Sequence, residues 1–327
     1  MIAVAINGFG RIGRRVFRLA LAHPQIQIVA INDLADARTL SHLLKYDSIH
    51  GVLKDSVSYD ETHIIVNGVS IPLYRQSHPK TIDWSEIQPD FVIESTGKFK
   101  TKAELQHHIT NGAKRVILSV PALEDDIKTI VLGVNDAILD GTETIISNAS
   151  CTTNNAAPMI ALIKAHFGIE QAYITTIHSY TTDQSLHDQP HKDLRRARAA
   201  GQSIVPTTTG AAKALTKIFP DLSDVIGGCG IRVPVANGSL TDITINVKTP
   251  TSIEKVNSIF QDAAKNELKG ILEYTEDPIV SIDIVGNPHS CIFDSQMTSV
   301  IGNMVKIVGW YDNETGYSSR ILDLICN

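Results

Sequence analysis

The opening 33 residues constrain the fold more than any other stretch of the chain. Ile2 to Ile6 is a short apolar run with β-branched members, and Gly8-Phe9-Gly10-Arg11-Ile12-Gly13 stands directly behind it. Arg14 to Ala22 then carries Val16, Leu19 and Ala20 on one helical face, and a second apolar run, Ile26 to Ile31, ends at Asn32-Asp33. Strand, G-x-G-x-x-G, helix, strand and acid follow in the order of a βαβ dinucleotide-binding unit, with Asp33 about 20 residues beyond the last glycine. Gly8, Gly10 and Gly13 permit a tight turn, close approach to a pyrophosphate and close helix–strand packing. The helix N-terminus faces the phosphates, and Asp33 accepts from a ribose hydroxyl. A carboxylate at that place repels a 2′-phosphate, and neither Asn32 nor Leu34 supplies a cation to hold one, so NAD is expected over NADP.

The middle of the chain carries a second feature, Ser147-Asn148-Ala149-Ser150-Cys151-Thr152-Thr153-Asn154. Ser150 is a good N-cap, and Cys151 to Lys164 reads as a helix closed by Phe167 and Gly168. A cysteine in a first helical turn sits among unpaired N–H groups at the positive end of the helix dipole, which favours thiolate and suits a nucleophile. Tyr173 to Ile177 reads as a strand that delivers His178, a candidate base for that cysteine. A long loop follows, Ser179 to about Gly201, with the cationic run Lys192 to Arg198; its arginines Arg195, Arg196 and Arg198 stay unassigned between a site and an interface. Pro206 to Lys213 offers three threonines and a glycine at a helix start, a candidate oxyanion or phosphate cradle.

Composition narrows the class. A net charge of −6 leaves no broad basic face for nucleic acid. Cys151, Cys229, Cys291 and Cys326 form no C-x-x-C pair, so neither a zinc site nor a disulfide framework is expected, and a reducing cytoplasm is. The start is too short and uncharged for a signal peptide, and no apolar run approaches the ~20 residues of a membrane span. Further elements are expected as follows. Helices are read at Ala37 to Tyr46, Lys102 to Ile109, Ser252 to Leu268 and Ser318 to Cys326. A hairpin is read around Asn67-Gly68. Strands are read at Phe91 to Glu94, Arg115 to Val120, Thr129 to Val134, Thr144 to Ser147, Gly230 to Val235, Leu240 to Val247, Val280 to Ile284, Cys291 to Asp294 and Met304 to Trp310. His107-His108 lacks any partner at metal-ligand spacing and is expected on a solvated helix face. The expected architecture is α/β: a Rossmann-type doubly wound domain over residues 1–149, to which a C-terminal helix, 314–327, returns, and an α+β catalytic domain over 150–313 with a mostly antiparallel sheet.

Over essentially its whole length the chain resembles the glyceraldehyde-3-phosphate dehydrogenases. The resemblance rests on Ile6 to Arg14, on Ser147 to Asn154, on His178-Ser179-Tyr180-Thr181, on Thr208 to Lys213, on Arg232-Val233-Pro234 and on Trp310 to Glu314. It implies Cys151 as nucleophile and His178 as the residue that activates its thiol. It implies one phosphate locus at Ser150, Thr152, Thr209 and Gly210, and another at Thr181 and Arg232, with Asp183 in the same segment. It implies NAD held by Arg11, Ile12, Asp33, Ser119 and Asn313, and Leu34 and Pro190 resemble residues of NAD-preferring members. A homotetramer is implied as well, with the loop after His178 at the subunit interface. The reaction implied is oxidation and phosphorylation of D-glyceraldehyde 3-phosphate through a hemithioacetal and a thioester on Cys151. The alternatives are an erythrose-4-phosphate dehydrogenase, from which Thr209 to Lys213 sets this chain apart, or an NAD-binding paralogue without catalysis. The chain departs from the family pattern at Asn155, where a second cysteine is common, at Ser185 and Ser77, where basic residues are usual, at Gln189, and at Pro158, which is expected to kink the cysteine helix.

Overall fold

The computed structural model describes residues 1–327, and the chain divides into two compact units. The first comprises Met1–Ile130, Ala137–Ala149 and Ser318–Asn327; the second comprises Val131–Asp136 and Ser150–Tyr317.

The first unit is built on a nine-stranded sheet. In spatial order its strands are Lys128–Thr129, Ile145–Ser147, Arg115–Leu118, Phe91–Glu94, Ile2–Asn7, Ile26–Asn32, Val69–Tyr74, His63–Val66 and Val57–Tyr59. The first seven run parallel, and the last two are antiparallel additions. Strands buried on both faces must be apolar throughout. Val4, Ala5, Ile6, Val92, Ile93, Val116, Ile117 and Leu118 meet that demand and are fully buried. Ile2–Asn7 pairs with Ile26–Asn32 on one side and with Phe91–Glu94 on the other, so the strand order reverses at Asn7, the kind of switch point where such sheets take ligands. The turn Asn67-Gly68 has φ of 52° and 79°, as a type I′ hairpin requires, and it joins Val66 to Val69.

The second unit holds a mixed sheet ordered Val205–Thr207, Ile226–Val233, Ile169–Ser179, Ser239–Val247, Met304–Tyr311, Cys291–Asp294 and Leu272–Thr275, with Ser299–Ile301 against Met304–Tyr311. All its pairs are antiparallel except Ile169–Ser179 with Ile226–Val233 and Leu272–Thr275 with Cys291–Asp294. Ser239–Val247 alternates buried and half-buried residues, the mark of a sheet with one covered face. The helix Cys151–Phe167 is buried over most of its length and runs without a break through Pro158. Gly168, at φ 64°, ends it.

Four expectations need correction. The ladder expected over Thr129 to Val134 stops at Thr129, because Val131 to Asp136 is a turn in which the Asn135 side chain accepts from Val131 N. Val280 to Ile284 is also a turn: the Asp283 carboxylate accepts from Val280 N, and no strand lies alongside. The strand expected from Gly230 begins earlier, at Ile226, and ends at Val233. Gly228 hides that start in the sequence yet is required, since a Cβ there would lie 2.7 Å from the Ile174 carbonyl oxygen. His108 is not on a solvated face at all. It is fully buried, between Trp84 and Glu94.

Two glycines of the first turn have distinct reasons. A Cβ on Gly13 would sit 2.2 Å from the Gly8 carbonyl oxygen, and one on Gly8, at φ 97°, would meet Thr96 N at 2.6 Å. Around Gly10 there is open space. Gly13→Ala is therefore expected to lower unfolding free energy by about 2 kcal/mol or more, and Gly10→Ala by no more than about 1 kcal/mol, as measured by urea denaturation.

Candidate active site

In the first unit the sequence-derived cofactor residues gather at the carboxyl edge of the parallel sheet. Gly10 caps the helix Arg11–Ala20 with no side-chain hydrogen bond, so the glycine turn itself supplies the helix start. Open backbone N–H groups in such a place suit a pyrophosphate. Asp33 accepts from Phe9 N at 2.8 Å through one oxygen and from Ala35 N at 3.0 Å through the other, which fixes the carboxylate beside the turn with lone pairs to spare. Arg11, the first helical residue, is ion-paired to Asp47 at 2.7 Å, and half-buried Ile12 follows it. Burial acts to raise the Asp47 carboxyl, but the His50 and Ile49 N–H groups and Arg11 overcome it and hold it at about 2. Ser119 follows the strand Arg115–Leu118 and donates its N–H to the Glu94 carbonyl at 3.0 Å. A turn that only glycine can make, an uncapped helix start and a fixed carboxylate together fit a dinucleotide.

In the second unit, Ser150 caps the helix Cys151–Phe167: its Oγ accepts from Thr153 N at 3.1 Å and pairs with Thr153 Oγ1 at 2.7 Å. Cys151 is thereby placed at the first helical position. Its Sγ lies 3.5 Å from Nε2 of His178, the penultimate residue of the strand Ile169–Ser179. Strand register supplies the rest. His178 pairs across the sheet with Arg232, which pairs in turn with Val205, and Thr176 pairs with Gly230, which pairs with Thr207. Arg232 Nη1 consequently stands 2.6 Å from His178 Nδ1 and donates to the Ser179 carbonyl at 3.1 Å; that carbonyl lies 2.7 Å from Nδ1.

Burial of this pair opposes the simple helix-head expectation. Burial pushes the Cys151 thiol up, against the Arg232 charge and the Thr152 N–H, which act to lower it. Burial, then the Arg232 charge, pushes His178 down to about 3, against the Ser179 carbonyl. Each group alone is held neutral, so the helix terminus does not by itself make a standing thiolate. The thiol proton has one short path, to Nε2.

Two of the segments that carry expected phosphate residues, Thr181–Asp183 and Thr207–Gly210, are joined by one arginine. Thr181 Oγ1 donates to Asp183, and Asp183 is ion-paired to Arg196. The same guanidinium donates to Thr207 Oγ1 at 3.0 Å and to the Thr208 carbonyl at 3.4 Å. Thr209 Oγ1 accepts from Ala211 N, and Gly210 caps the helix Ala211–Ile218. Thr152 is placed differently: its hydroxyl is turned inward, 2.9 Å from Tyr311 Oη. Asn313 is nearly buried, and its Oδ1 accepts from the hydroxyls of Ser179 and Ser239.

Two contributors escape the sequence reading. Arg196 was one of three equivalent-looking arginines, and only the folded loop separates it from Arg198, which pairs with exposed Asp188. Tyr311 bridges Thr152 and Thr176, each at 2.9 Å, and sets its ring edge-on to His178. Nothing local marks it; its place follows from long-range pairing of Ser239 with Tyr311.

Comparison with known proteins agrees with this geometry. The glyceraldehyde 3-phosphate dehydrogenase NAD binding domain model matches residues 2–102, and the C-terminal domain model of the same enzyme matches 150–313. Glyceraldehyde-3-phosphate dehydrogenase 2 of Streptomyces avermitilis is 53% identical over 326 residues, covering 99% of this chain and 97% of its own. The Mycobacterium avium and Geobacillus stearothermophilus glyceraldehyde-3-phosphate dehydrogenases are each 51% identical, with the same coverage. The chain belongs to the glyceraldehyde-3-phosphate dehydrogenase family. NAD is its cofactor, and its two units are the α/β NAD-binding and the α+β catalytic architectures of that family.

The depressed His178 has a consequence for stability. Unfolded, the imidazole takes up a proton near 6.5, whereas folded it does so only near 3. Between those values the unfolded chain binds more protons, so stability falls as pH is lowered through that window. His178→Asn is expected to flatten this part of the curve relative to the parent, read as urea midpoints from pH 6.5 down to 3.

Proposed function

We propose that this chain catalyses the NAD-dependent oxidation and phosphorylation of D-glyceraldehyde 3-phosphate to 1,3-bisphosphoglycerate, a glycolytic and gluconeogenic step. The observation that carries the mechanism is the Cys151–His178 contact at the head of a buried helix, with Arg232 on the far side of the imidazole. Its relatives' shared name favours this reading over an erythrose-4-phosphate dehydrogenase.

His178 Nε2 takes the Cys151 proton as Sγ attacks the aldehyde carbon, so the buried charges form together as an ion pair during the attack. The tautomer suited to this leaves Nε2 free and carries its proton on Nδ1, donated to the Ser179 carbonyl, with the Arg232 Nη1 hydrogen directed to that same carbonyl rather than to Nδ1. The new oxyanion lies against the Cys151 N–H and the protonated Nε2. Nε2 gives its proton to that oxyanion, which completes the hemithioacetal, and takes it back from the hydroxyl as the carbon gives up hydride. NAD, when bound, accepts that hydride. The carbon is left as a thioester on Sγ. A phosphate oxygen then attacks the thioester carbon, the C–S bond breaks, and the acyl phosphate leaves Cys151 as thiolate for reprotonation. Arg232 and Thr181 suit the substrate phosphate. Ser150, Thr209 and Gly210 suit the attacking one, Arg196 ties Thr181–Asp183 to Thr207–Thr208, and the Thr152 hydroxyl meets Tyr311 Oη and the Cys151 thiol. Gly8 to Gly13, Asp33, Ser119 and Asn313 hold the dinucleotide.

The proposal extends to assembly and place. Leu186, Leu194 and Ile204 are strongly exposed on the loop after His178, an arrangement suited to burial against further copies in a homotetramer. All four cysteines are free thiols, which suits a cytoplasmic protein, and no helix is long and apolar enough to cross a membrane.

NADH formation from glyceraldehyde 3-phosphate, dependent on inorganic phosphate and faster than from erythrose 4-phosphate, is the expected result; phosphate-independent preference for the erythrose ester would overturn the assignment. Cys151→Ala is expected to lower turnover by several orders of magnitude with NAD affinity retained, as read by calorimetric titration. Analytical ultracentrifugation is expected to show a particle of four chains of 35.6 kDa.

A further inference from the structure

A buried polar network in the first unit takes no part in the chemistry above. Glu94, the last residue of the strand Phe91–Glu94, is 1% exposed, and His108 and Trp84 are fully buried. Trp84 Nε1 donates to His108 Nδ1 at 3.1 Å, and His108 Nε2 stands 3.2 Å from Glu94 Oε2. An indole N–H can only donate, so Nδ1 must accept, and the ring proton sits on Nε2, directed at Glu94. From the opposite side, Gln76 N donates to Asn32 Oδ1, Asn32 Nδ2 donates to Asn7 Oδ1, and Asn7 Nδ2 donates to Glu94 Oε2. The remaining oxygen, Oε1, accepts from both the N–H and the hydroxyl of Thr96.

Both chains of donors therefore run inward and end on Glu94. Only a group that accepts and never donates can close such a network, and a carboxylate is that group. Its position matters as much as its polarity. Asn7 immediately precedes the glycine turn, Asn32 immediately precedes Asp33, and Thr96 belongs to the loop packed on Gly8, where Ser95 Oγ donates to the Gly8 carbonyl at 2.7 Å. A buried ionic group adds little net stability over an apolar core of the same volume, so stability alone gives no reason for a carboxylate and a histidine here.

We propose that Glu94, braced by His108, is a positioning residue for the cofactor: it locks Asn7, Asn32 and Thr96 together and so sets the glycine turn and Asp33 in place before NAD arrives. Neither Glu94 nor His108 is accessible enough to touch the dinucleotide. They act through preorganisation, which lowers the ordering cost of binding. Glu94→Gln keeps the shape but sets an amide N–H against donors on at least one side. Flipping Asn7 to relieve the clash forces Asn32 to flip as well, and brings Asn32 Nδ2 against Gln76 N.

This inference rests on the reading of Gly8 to Gly13 and Asp33 as cofactor residues, and the experiment separates the two. NAD is titrated calorimetrically into the full-length protein, its Glu94→Gln variant and an Asp33→Ala variant. Urea unfolding of the NAD-free protein and Cys151 alkylation by iodoacetamide are read alongside. The expected result is an NAD affinity at least tenfold weaker in Glu94→Gln with the alkylation rate unchanged, and partial recovery in Glu94→Asp, which restores an acceptor-only group. A Glu94→Gln affinity within twofold of the parent while Asp33→Ala is weakened overturns the positioning role alone, and both unchanged overturns the cofactor reading with it. A lowered unfolding midpoint with unchanged NAD affinity also overturns it. Should Glu94→Gln not fold, Trp84→Phe takes its place. It removes the donor that fixes the His108 tautomer, at the cost of a buried cavity that the urea midpoint reads separately, and a loss of about threefold in NAD affinity supports the proposal, whereas parental affinity overturns it.

Discussion

Strand pairing in the second unit sets His178 opposite Arg232, and most of the chemistry there follows from that register. The strand Ile226–Val233 runs parallel to Ile169–Ser179 and antiparallel to Val205–Thr207, so one row across the sheet reads His178, Arg232, Val205 and the next-but-one reads Thr176, Gly230, Thr207. A slip of one residue would turn every side chain to the other face. Arg232 would leave the imidazole, and His178 would leave the Cys151 thiol. Gly228 allows the close approach of the two parallel strands, since a Cβ there would lie 2.7 Å from the Ile174 carbonyl oxygen.

The two units solve different problems with buried polarity. In the second, burial keeps Cys151 uncharged, and burial with the neighbouring guanidinium keeps His178 uncharged, until a reaction separates charge between them. The Arg232 charge and the Thr152 N–H favour the anion, but they work against a larger desolvation cost. In the first, a carboxylate is surrounded by donors on all sides, and its charge is spent on geometry rather than on proton transfer.

Much of this was legible in the chain itself. The alternation of strand, glycine turn, helix and acid marks the parallel sheet, because those residues act through local backbone sterics and short-range packing. Ser150 as a cap and Cys151 as the first helical residue follow from the same local rules. What stayed hidden depends on contacts distant in sequence. His108 looked like a surface residue of a polar helix, since its partners lie 14 and 24 positions away. Arg196 could not be told from Arg195 and Arg198 until the loop doubled back on Thr207. Tyr311 reads as an ordinary strand residue, and only the folded sheet brings it between two threonines from other elements. Val280 to Ile284 has the composition of a strand, but Asp283 satisfies the Val280 N–H locally and no edge is offered to pair with.

Asn155 stands one turn along the helix from Cys151. Its amide is tied to the carbonyls of Ser290 and Trp310, 3.3 and 3.2 Å away, so it serves as a strut between the helix and the strands beneath. Cys151 is also the one thiol of its helix. Under oxidative stress a sulfenic acid on Cys151 has no thiol in its own helix with which to condense. A condensing thiol has to come from outside the helix, and the exposure of Cys151 to over-oxidation is set by how readily one can reach it.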